Sequence, residues 1–367
     1  MNNNVLYFYW GFLGDVKYKP NGEVGSFPDG NAFYSWSIIS ELQNKGKNVY
    51  IIEDRDKVGY QKLGNNLFNS FAKNKRLNCY KKLKIFNKDV KLDYAIIEFR
   101  WPIPGRNTKD VKGQSVWQPD LEYFENCVKF CNDNNIPFVV FDLDYKIKNS
   151  DVKKYGIKYI IELGDKWKNN KNVKSLKVQI PFDFSVINEK PIKTNNIEND
   201  CVYVGSRYER DWCLHYLPEK TVVYGNWLEP GHGDSMNEFP HLDFRKRVSA
   251  SEIFLPYNNS LVTVLLAKKE YCKRHFMTAR IQESVFYGLV PLFIKEYGND
   301  TIKQYAGKYW KLLKVKSKDD VKKVIKILKE DLLFRKEIIQ YLRKHLRFMD
   351  SKFFINDIEE LLGVNND

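Results

Sequence analysis

Arg280 and Glu283 lie three residues apart in the segment Phe276-Met277-Thr278-Ala279-Arg280-Ile281-Gln282-Glu283, which puts both side chains on one face of a predicted helix. A glutamate there can accept two hydrogen bonds from ribose hydroxyls while the arginine reaches a phosphate. The plainer alternative is a surface ion pair contributing at most about half a kcal/mol. The apolar run Val290–Ile294 follows at once, so the helix starts on the side where strands end, and this favours the ligand role. A second phosphate-type motif is Gly205-Ser206-Arg207, after the run Cys201–Val204 and just before Arg210, which opens the next predicted helix. Glycine lets the backbone come close to a phosphate, a helix start favours an anion, and two guanidiniums offer bidentate contacts. An ordinary strand-to-helix turn with solvent-facing arginines has the same pattern. Gly225-Asn226 after Val222–Tyr224 repeats the placement and offers an edge on which a base or sugar can pack.

Asp142 and Asp144 follow the run Ile136–Phe141. A carboxylate just past a strand's carboxyl end lines the ligand crevice of an open α/β sheet, and a like-charged neighbour raises the pKa of one of the two toward that of a general base. The same pair fits an Asx-turn or helix cap. It also fits an Asp-x-Asp element holding a divalent ion on a sugar-nucleotide diphosphate. Pro28, Asp29 and Asn31 end a long first loop that should overhang the same cleft, with Asp29 or Asn31 expected as a helix N-cap. The five histidines show no metal spacing, although His232 and His241 sit in a Gly/Pro-rich loop. No Walker loop or nucleophile elbow is present, and no metal-ligating set is predicted.

These residues need scaffolds, and the chain supplies two alternating series. Val5–Trp10, Val49–Ile52, Tyr94–Ile97 and Phe138–Phe141 read as strands, with helices at Phe33–Leu42 and Leu121–Cys131. A second series begins after the asparagine-rich stretch Pro191–Asp200. It has strands at Cys201–Val204, Val222–Tyr224, Leu261–Leu266 and Val290–Ile294, and helices at Tyr208–Tyr216, Ala279–Tyr287, Asp319–Leu328 and Leu333–Phe348. The class is α/β, two Rossmann-like units with a ligand cleft between them.

At 367 residues the chain is long enough for two cores. It contains no apolar run long enough for a membrane span and no basic n-region or cleavage site of a signal peptide. Six dispersed cysteines without a CxxC pair suit a reducing cytosol, and Cys127 and Cys131 should pack on one helix face. Sixty Lys+Arg against 46 Asp+Glu give a net charge of +14, which favours a polyanionic partner. An A/T-rich genome that loads lysine codons would produce the same excess. Lys73, Lys75, Arg76, Lys81, Lys82, Lys84, Lys88 and Lys91 crowd one stretch with only Asp89 opposing and with Tyr80 and Phe86 among them, a pattern of a groove that tracks a nucleic-acid backbone or of a solvated face.

Taken together, the motifs resemble the bacteriophage DNA β-glucosyltransferases of the T-even type, which are GT-B enzymes. Val204-Gly205-Ser206-Arg207 with Arg210 looks like that family's Gly-Ser turn with two arginines, the second being nearer here. Tyr224-Gly225-Asn226 is similar to its Phe-Gly-Asn. Phe276-x-Thr278-x-Arg280-x-x-Glu283 matches its phosphate-binding arginine and ribose-binding glutamate with spacing intact. Ile136–Leu143 aligns with the strand that ends in the family's catalytic aspartate, and the match falls on Asp142. The family has threonine and arginine where this chain has Phe141 and Asp144. Phe27-Pro28 and the helix through Ser40-Glu41 resemble its first loop and helix, with Asn31 in place of a glutamate.

The resemblance implies a GT-B fold. An acceptor domain would span residues 1–190, a linker 191–200 and a donor domain 201–348, with a C-terminal helix at 349–367 crossing back to the first domain. It implies inverting transfer of glucose from UDP-glucose to the hydroxymethyl group of 5-hydroxymethylcytosine or 5-hydroxymethyluracil in duplex DNA, reached by base flipping. Asp142 would be the base. Gly205, Ser206, Arg207, Arg210, Gly225, Asn226, Thr278, Arg280 and Glu283 would hold the donor. A divalent cation, Mg or Mn, is compatible with this chemistry but not required. A monomer in the cytoplasm of an infected bacterium is the expected setting. The rival reading is a GT-B enzyme acting on a surface polysaccharide, teichoic acid or lipid-linked sugar. A non-catalytic DNA-binding protein is disfavoured by the donor-like motifs and by the absence of a known DNA-reading signature.

Overall fold

Short apolar runs without polar alternation must be covered on both faces, which is the condition of strands inside a parallel sheet. The computed structural model describes residues 3–9, 16–18, 24–26, 30–53, 77–80, 91–114, 117, 120–164, 173–183, 190–229, 235–248, 253–297 and 300–364. Its first half contains β1 (Asn4–Tyr9), the hairpin β2 (Val16–Tyr18) and β3 (Val24–Ser26), β4 (Asn48–Glu53), β5 (Leu77–Tyr80), β6 (Tyr94–Glu98), β7 (Phe138–Asp142), β8 (Tyr159–Leu163) and β9 (Lys174–Val178). Seven of these form one sheet in the order β5-β4-β1-β6-β7-β8-β9, every pair parallel. The second half contains β10 (Asn199–Val204), β11 (Val222–Tyr224), β12 (Asp243–Arg245), β13 (Ser260–Leu265), β14 (Val290–Ile294) and β15 (Lys314–Val315). They form a parallel sheet in the order β12-β11-β10-β13-β14-β15.

Helices cover both faces of each sheet. In the first half α1 (Gly30–Asn44) lies over Val5, Tyr7, Val139 and Phe141, while α2 (Asp120–Asp133) and α3 (Asn149–Tyr155) cover the face of Leu6, Phe8 and Val140. The period-two alternation of β1 and β7 thus feeds two separate cores. Cys127 and Cys131 are buried together on α2, as their spacing predicted. The second half carries α4 (Lys269–Arg274), α5 (Ala279–Phe286), α6 (Lys318–Glu330) and α7 (Leu332–His345). One predicted α-helix takes another form. Glu209 adopts a left-handed backbone (φ 54°), so only Asp211–Tyr216 winds, as a 3-10 helix, and Arg210 sits at its cap.

The chain finally returns to the first half. α8 (Ser351–Leu362) packs on α1, β7 and β9, burying Phe354, Ile355 and Ile358. The return is stitched by Phe182 N–H donating to Met349 O (3.0 Å) and Ser351 N–H donating to Phe182 O (3.1 Å). Glu359, only 2% exposed, pairs with Lys45, lies 3.9 Å from the buried Lys47 ammonium, and accepts from Tyr94 Oη at 3.1 Å. Two arginines of α7 hold the incoming connection: Arg343 donates to Lys190 O and Arg335 to Lys193 O, both at 2.7 Å.

Removing one partner of a buried ion pair leaves the other charge uncompensated. Glu359→Ala is therefore expected to cost about 3–5 kcal/mol in denaturant unfolding monitored on the full chain. An unchanged midpoint would show that the returning helix is held by its apolar face alone.

Candidate functional site

The carboxyl ends of β10 and β11 and the chain just past β12 meet the start of α5 in a cleft of about 1060 Å³ open to solvent. Its walls include Gly205, Ser206, Arg210, Gly225, Asn226, Thr278, Arg280 and Glu283. Eight of the nine donor residues expected from the sequence are therefore in one place. Arg207 is the exception, because its Nε donates to Asp211 Oδ1 at 2.6 Å and the side chain does not line the pocket.

Two glycine turns make the pocket floor. Gly205 N–H donates to Tyr224 O (2.9 Å), and the Trp227 indole N–H donates to Gly205 O (2.9 Å). A Cβ on Gly225 would lie 2.1 Å from Gly205 O, and one on Gly205 would lie 2.5 Å from Arg280 Nε. Asn226 Oδ1 accepts from Arg207 N–H at 2.7 Å and locks the two turns together.

The arginines are held by oxygens that carry no full charge. Arg210 is 4% exposed; its Nη1 donates to Ser206 Oγ (2.9 Å) and Tyr208 O (2.9 Å), and its Nε has no protein partner. Arg280 Nε donates to Val204 O at 2.8 Å. Neither guanidinium has a carboxylate within ion-pair distance among the described residues. Burial pushes the Arg210 pKa down, and the nearby Arg280 charge adds to this. Burial opposes the Arg280 charge too, but Tyr203, Tyr257 and Glu283 together hold its pKa up.

Arg280 and Glu283 share a face as predicted, yet they form no surface ion pair. Glu283 is 5% exposed, and burial lifts its pKa to about 7 against the pull of Arg280. Thr278 caps α5 from an extended backbone and its N–H donates to Tyr297 Oη (2.9 Å), so the first turn of the helix faces the pocket. Tyr271, Phe276 and, from beyond β9, Ile180 complete the wall toward the first half. Tyr224, Val248 and Ile253 give the far end an apolar lining suited to a flat ring. Arg247 lies beside them, paired with Glu229. None of Tyr271, Val248, Ile253 and Arg247 stood out in the sequence; the Arg245-Lys246-Arg247 run was the one available signal.

The first half presents its carboxylates differently. Asp142 is wholly buried, and its two oxygens accept from the N–H groups of Lys146 (2.8 Å) and Ile147 (3.1 Å). It takes the turn-holding role that its position allowed and does not line the pocket. The turn puts Tyr145 in a left-handed conformation (φ 58°), with Arg274 of the second half 3.7 Å over its ring. Asp144, on the same turn, is half-buried, and its charge acts on Lys268 and Tyr271 across the cleft. Asn31 falls inside α1, which begins at Gly30, so it is not the N-cap. Pro28, Asp29, His232 and the cluster Lys73, Lys75, Arg76, Lys81, Lys82 and Lys84 lie outside the described residues. His241 is described but does not line the pocket. Among the described residues no three His, Cys, Asp or Glu side chains gather as a metal site, and no helix is long and apolar enough to cross a membrane.

No protein-family model matches the sequence, and no curated protein does. Solved structures do resemble it. A DNA-modifying β-glucosyltransferase, solved with and without uridine diphosphoglucose, aligns over 98% of this chain and 99% of its own at TM-score 0.61 and 12% identity. An α-glucosyltransferase, solved with UDP and a 13-mer DNA containing an HMU base, aligns over 98% of both chains at 0.62 and 14%. A Rickettsia africae glycosyltransferase aligns over 99% of both at 0.62 and 11%. The shared feature is the fold: the chain has the GT-B architecture, two parallel-sheet units facing a cleft, with the last helix returning to the first.

The raised pKa of Glu283 gives a test of the site without a ligand. A buried carboxyl whose folded pKa lies above its unfolded value of 4.5 contributes stability below that value and loses it as pH rises through about 7. Glu283→Gln should therefore raise the melting temperature at pH 8 and change it little at pH 5. Equal melting curves at both pH values would place Glu283 in a better-solvated environment.

Proposed function

We propose that this chain is an inverting glycosyltransferase that moves glucose from UDP-glucose to the hydroxymethyl group of a modified pyrimidine, 5-hydroxymethylcytosine or 5-hydroxymethyluracil, in duplex DNA. The observation that carries the donor half is the pair Arg210 and Arg280, converging without carboxylate partners over the Gly205-Ser206 turn. Two desolvated guanidiniums beside a glycine turn and a helix start are complementary to a diphosphate. Glu283 is three residues further along α5, where an ionised carboxylate accepts from the ribose hydroxyls. The apolar far end takes the uracil ring.

The acceptor reading is supported by the likeness to a DNA-modifying glucosyltransferase and to one solved with HMU-containing DNA, and by the +14 net charge. In the transfer the acceptor oxygen forms a bond to the anomeric carbon on the face opposite the diphosphate. The carbon–oxygen bond to the diphosphate breaks, its electron pair leaves with UDP, and the hydroxyl proton passes to a carboxylate. Exposure favours Asp144 over Asp142 for that proton: Asp142 is enclosed with both oxygens engaged, whereas Asp144 stands on the cleft side of the same turn. Arg210 and Arg280 neutralise the departing diphosphate. No step in this scheme calls for a divalent cation.

The test is UDP release from UDP-glucose with duplex DNA bearing either hydroxymethylated base, against unmodified duplex. Release only with a hydroxymethylated duplex is expected. Donor hydrolysis that DNA does not stimulate would move the acceptor to a glycan or lipid. Arg280→Ala should weaken UDP binding by roughly 10–100-fold, the range for hydrogen bonds to charged groups. Asp144→Asn should lose turnover while keeping UDP affinity, and Asp142→Asn should lose mainly stability. A well-folded Asp142→Asn protein without turnover, beside an active Asp144→Asn protein, would return the base role to Asp142.

A further inference from the structure

Lys268 follows β13, the strand next to β10, and so emerges at the same sheet edge as the Gly205-Ser206 turn. Its side chain is only 14% exposed. The ammonium lies 4.2 Å from the ring centre of Tyr208 and 5.3 Å from that of Tyr271, which is itself part of the pocket wall. Glu209 Oε2, 3.6 Å away, forms an ion pair with it, and that glutamate is largely in water. Burial and then the Arg210 charge push the Lys268 pKa down, and Glu209 and Asp144 only partly restore it.

Arg210 and Arg280 therefore line the cleft without a carboxylate partner among the described residues, and Lys268 adjoins them over the ring of Tyr271, held by one ion pair with the exposed Glu209. Like charges in a desolvated site repel strongly, and an anion with several oxygens relieves all three at once. The Asp144 charge also acts on Lys268, which links the ammonium to the turn that carries the proposed base. We propose that Lys268 is a third cation on the donor's leaving diphosphate, exchanging its loose contact with Glu209 for a phosphate oxygen. The inference rests on the UDP-glucose reading of the site. It adds a residue that differs from the arginines in one respect, because a lysine on a flexible stem can follow charge as it develops.

Lys268→Met keeps the apolar stem and removes the charge. Calorimetric titration of the full chain with UDP and with uridine, plus UDP-release kinetics, separates the outcomes. The variant should bind UDP roughly tenfold more weakly, with uridine affinity unchanged and kcat reduced. Lys268→Arg should recover part of the UDP affinity. It should also hold that affinity to higher pH than the wild type, whose ammonium deprotonates earlier. UDP affinity and kcat at wild-type values in Lys268→Met would overturn the role of Lys268 while leaving the donor reading intact. A wild-type chain that binds no UDP would overturn both.

Discussion

The close approach of two backbone turns, Gly205 against Gly225, is the constraint from which the rest of the site follows. A side chain on Gly225 would strike the Gly205 carbonyl, and one on Gly205 would meet the Arg280 guanidinium and Tyr203 Oη, so the ends of β10 and β11 form a single floor. Trp227 seals that floor from below through its indole N–H, and Arg280 reaches across it to the carbonyl of Val204. Position and charge are thus set by main-chain atoms of the sheet, which are the stiffest parts of the half. A ligand meeting this surface finds donors already aimed, with little ordering cost.

The chain uses buried arginine in two opposed ways. Arg335, wholly buried, donates to the carbonyls of Lys193, Ser260 and Gly288, and with Leu261 at the limit of reach it joins the connection to the second sheet. Arg343 does the same with Val285, Lys190 and Phe286. Those guanidiniums spend most of their donors on the fold. Arg210 and Arg280 keep donors in reserve and lie where a ligand can reach them. Donors saturated by carbonyls fix the fold at Arg335 and Arg343, whereas donors left over at Arg210 and Arg280 stand where an anion can take them.

Much of this was readable in the amino-acid order because it depends on local spacing. The apolar runs at 94–97 and 138–141, the Gly205-Ser206 and Gly225-Asn226 turns, and the Arg280/Glu283 pair all occupy the expected places. What was not readable depends on non-local partners. Asp142 could be a base or a turn clamp, and only the structure reveals that the amides of Lys146 and Ile147 engage both of its oxygens. β9 (KSLKV) is polar because it is an edge strand, and α4 is too short to show a period. Lys268 follows a buried strand and is adjacent to another lysine, which reads as solvated surface. Its enclosure between Tyr208 and Tyr271 comes from two separate stretches of chain.

The return of α8 also bears on the order in which the protein can be built. Residues 351–362 supply Phe354, Ile355 and Ile358 to the face of the first sheet that α1 only partly covers. During synthesis those residues leave the ribosome after the entire second half. The first half therefore keeps an open apolar face while the second, whose core takes in Phe182 from the first, can fold ahead of it. For such a chain the N-terminal unit finishes last, reversing the usual vectorial order. An arrest of translation between α7 and α8 would leave the second sheet covered beside a first sheet whose α8 face is open.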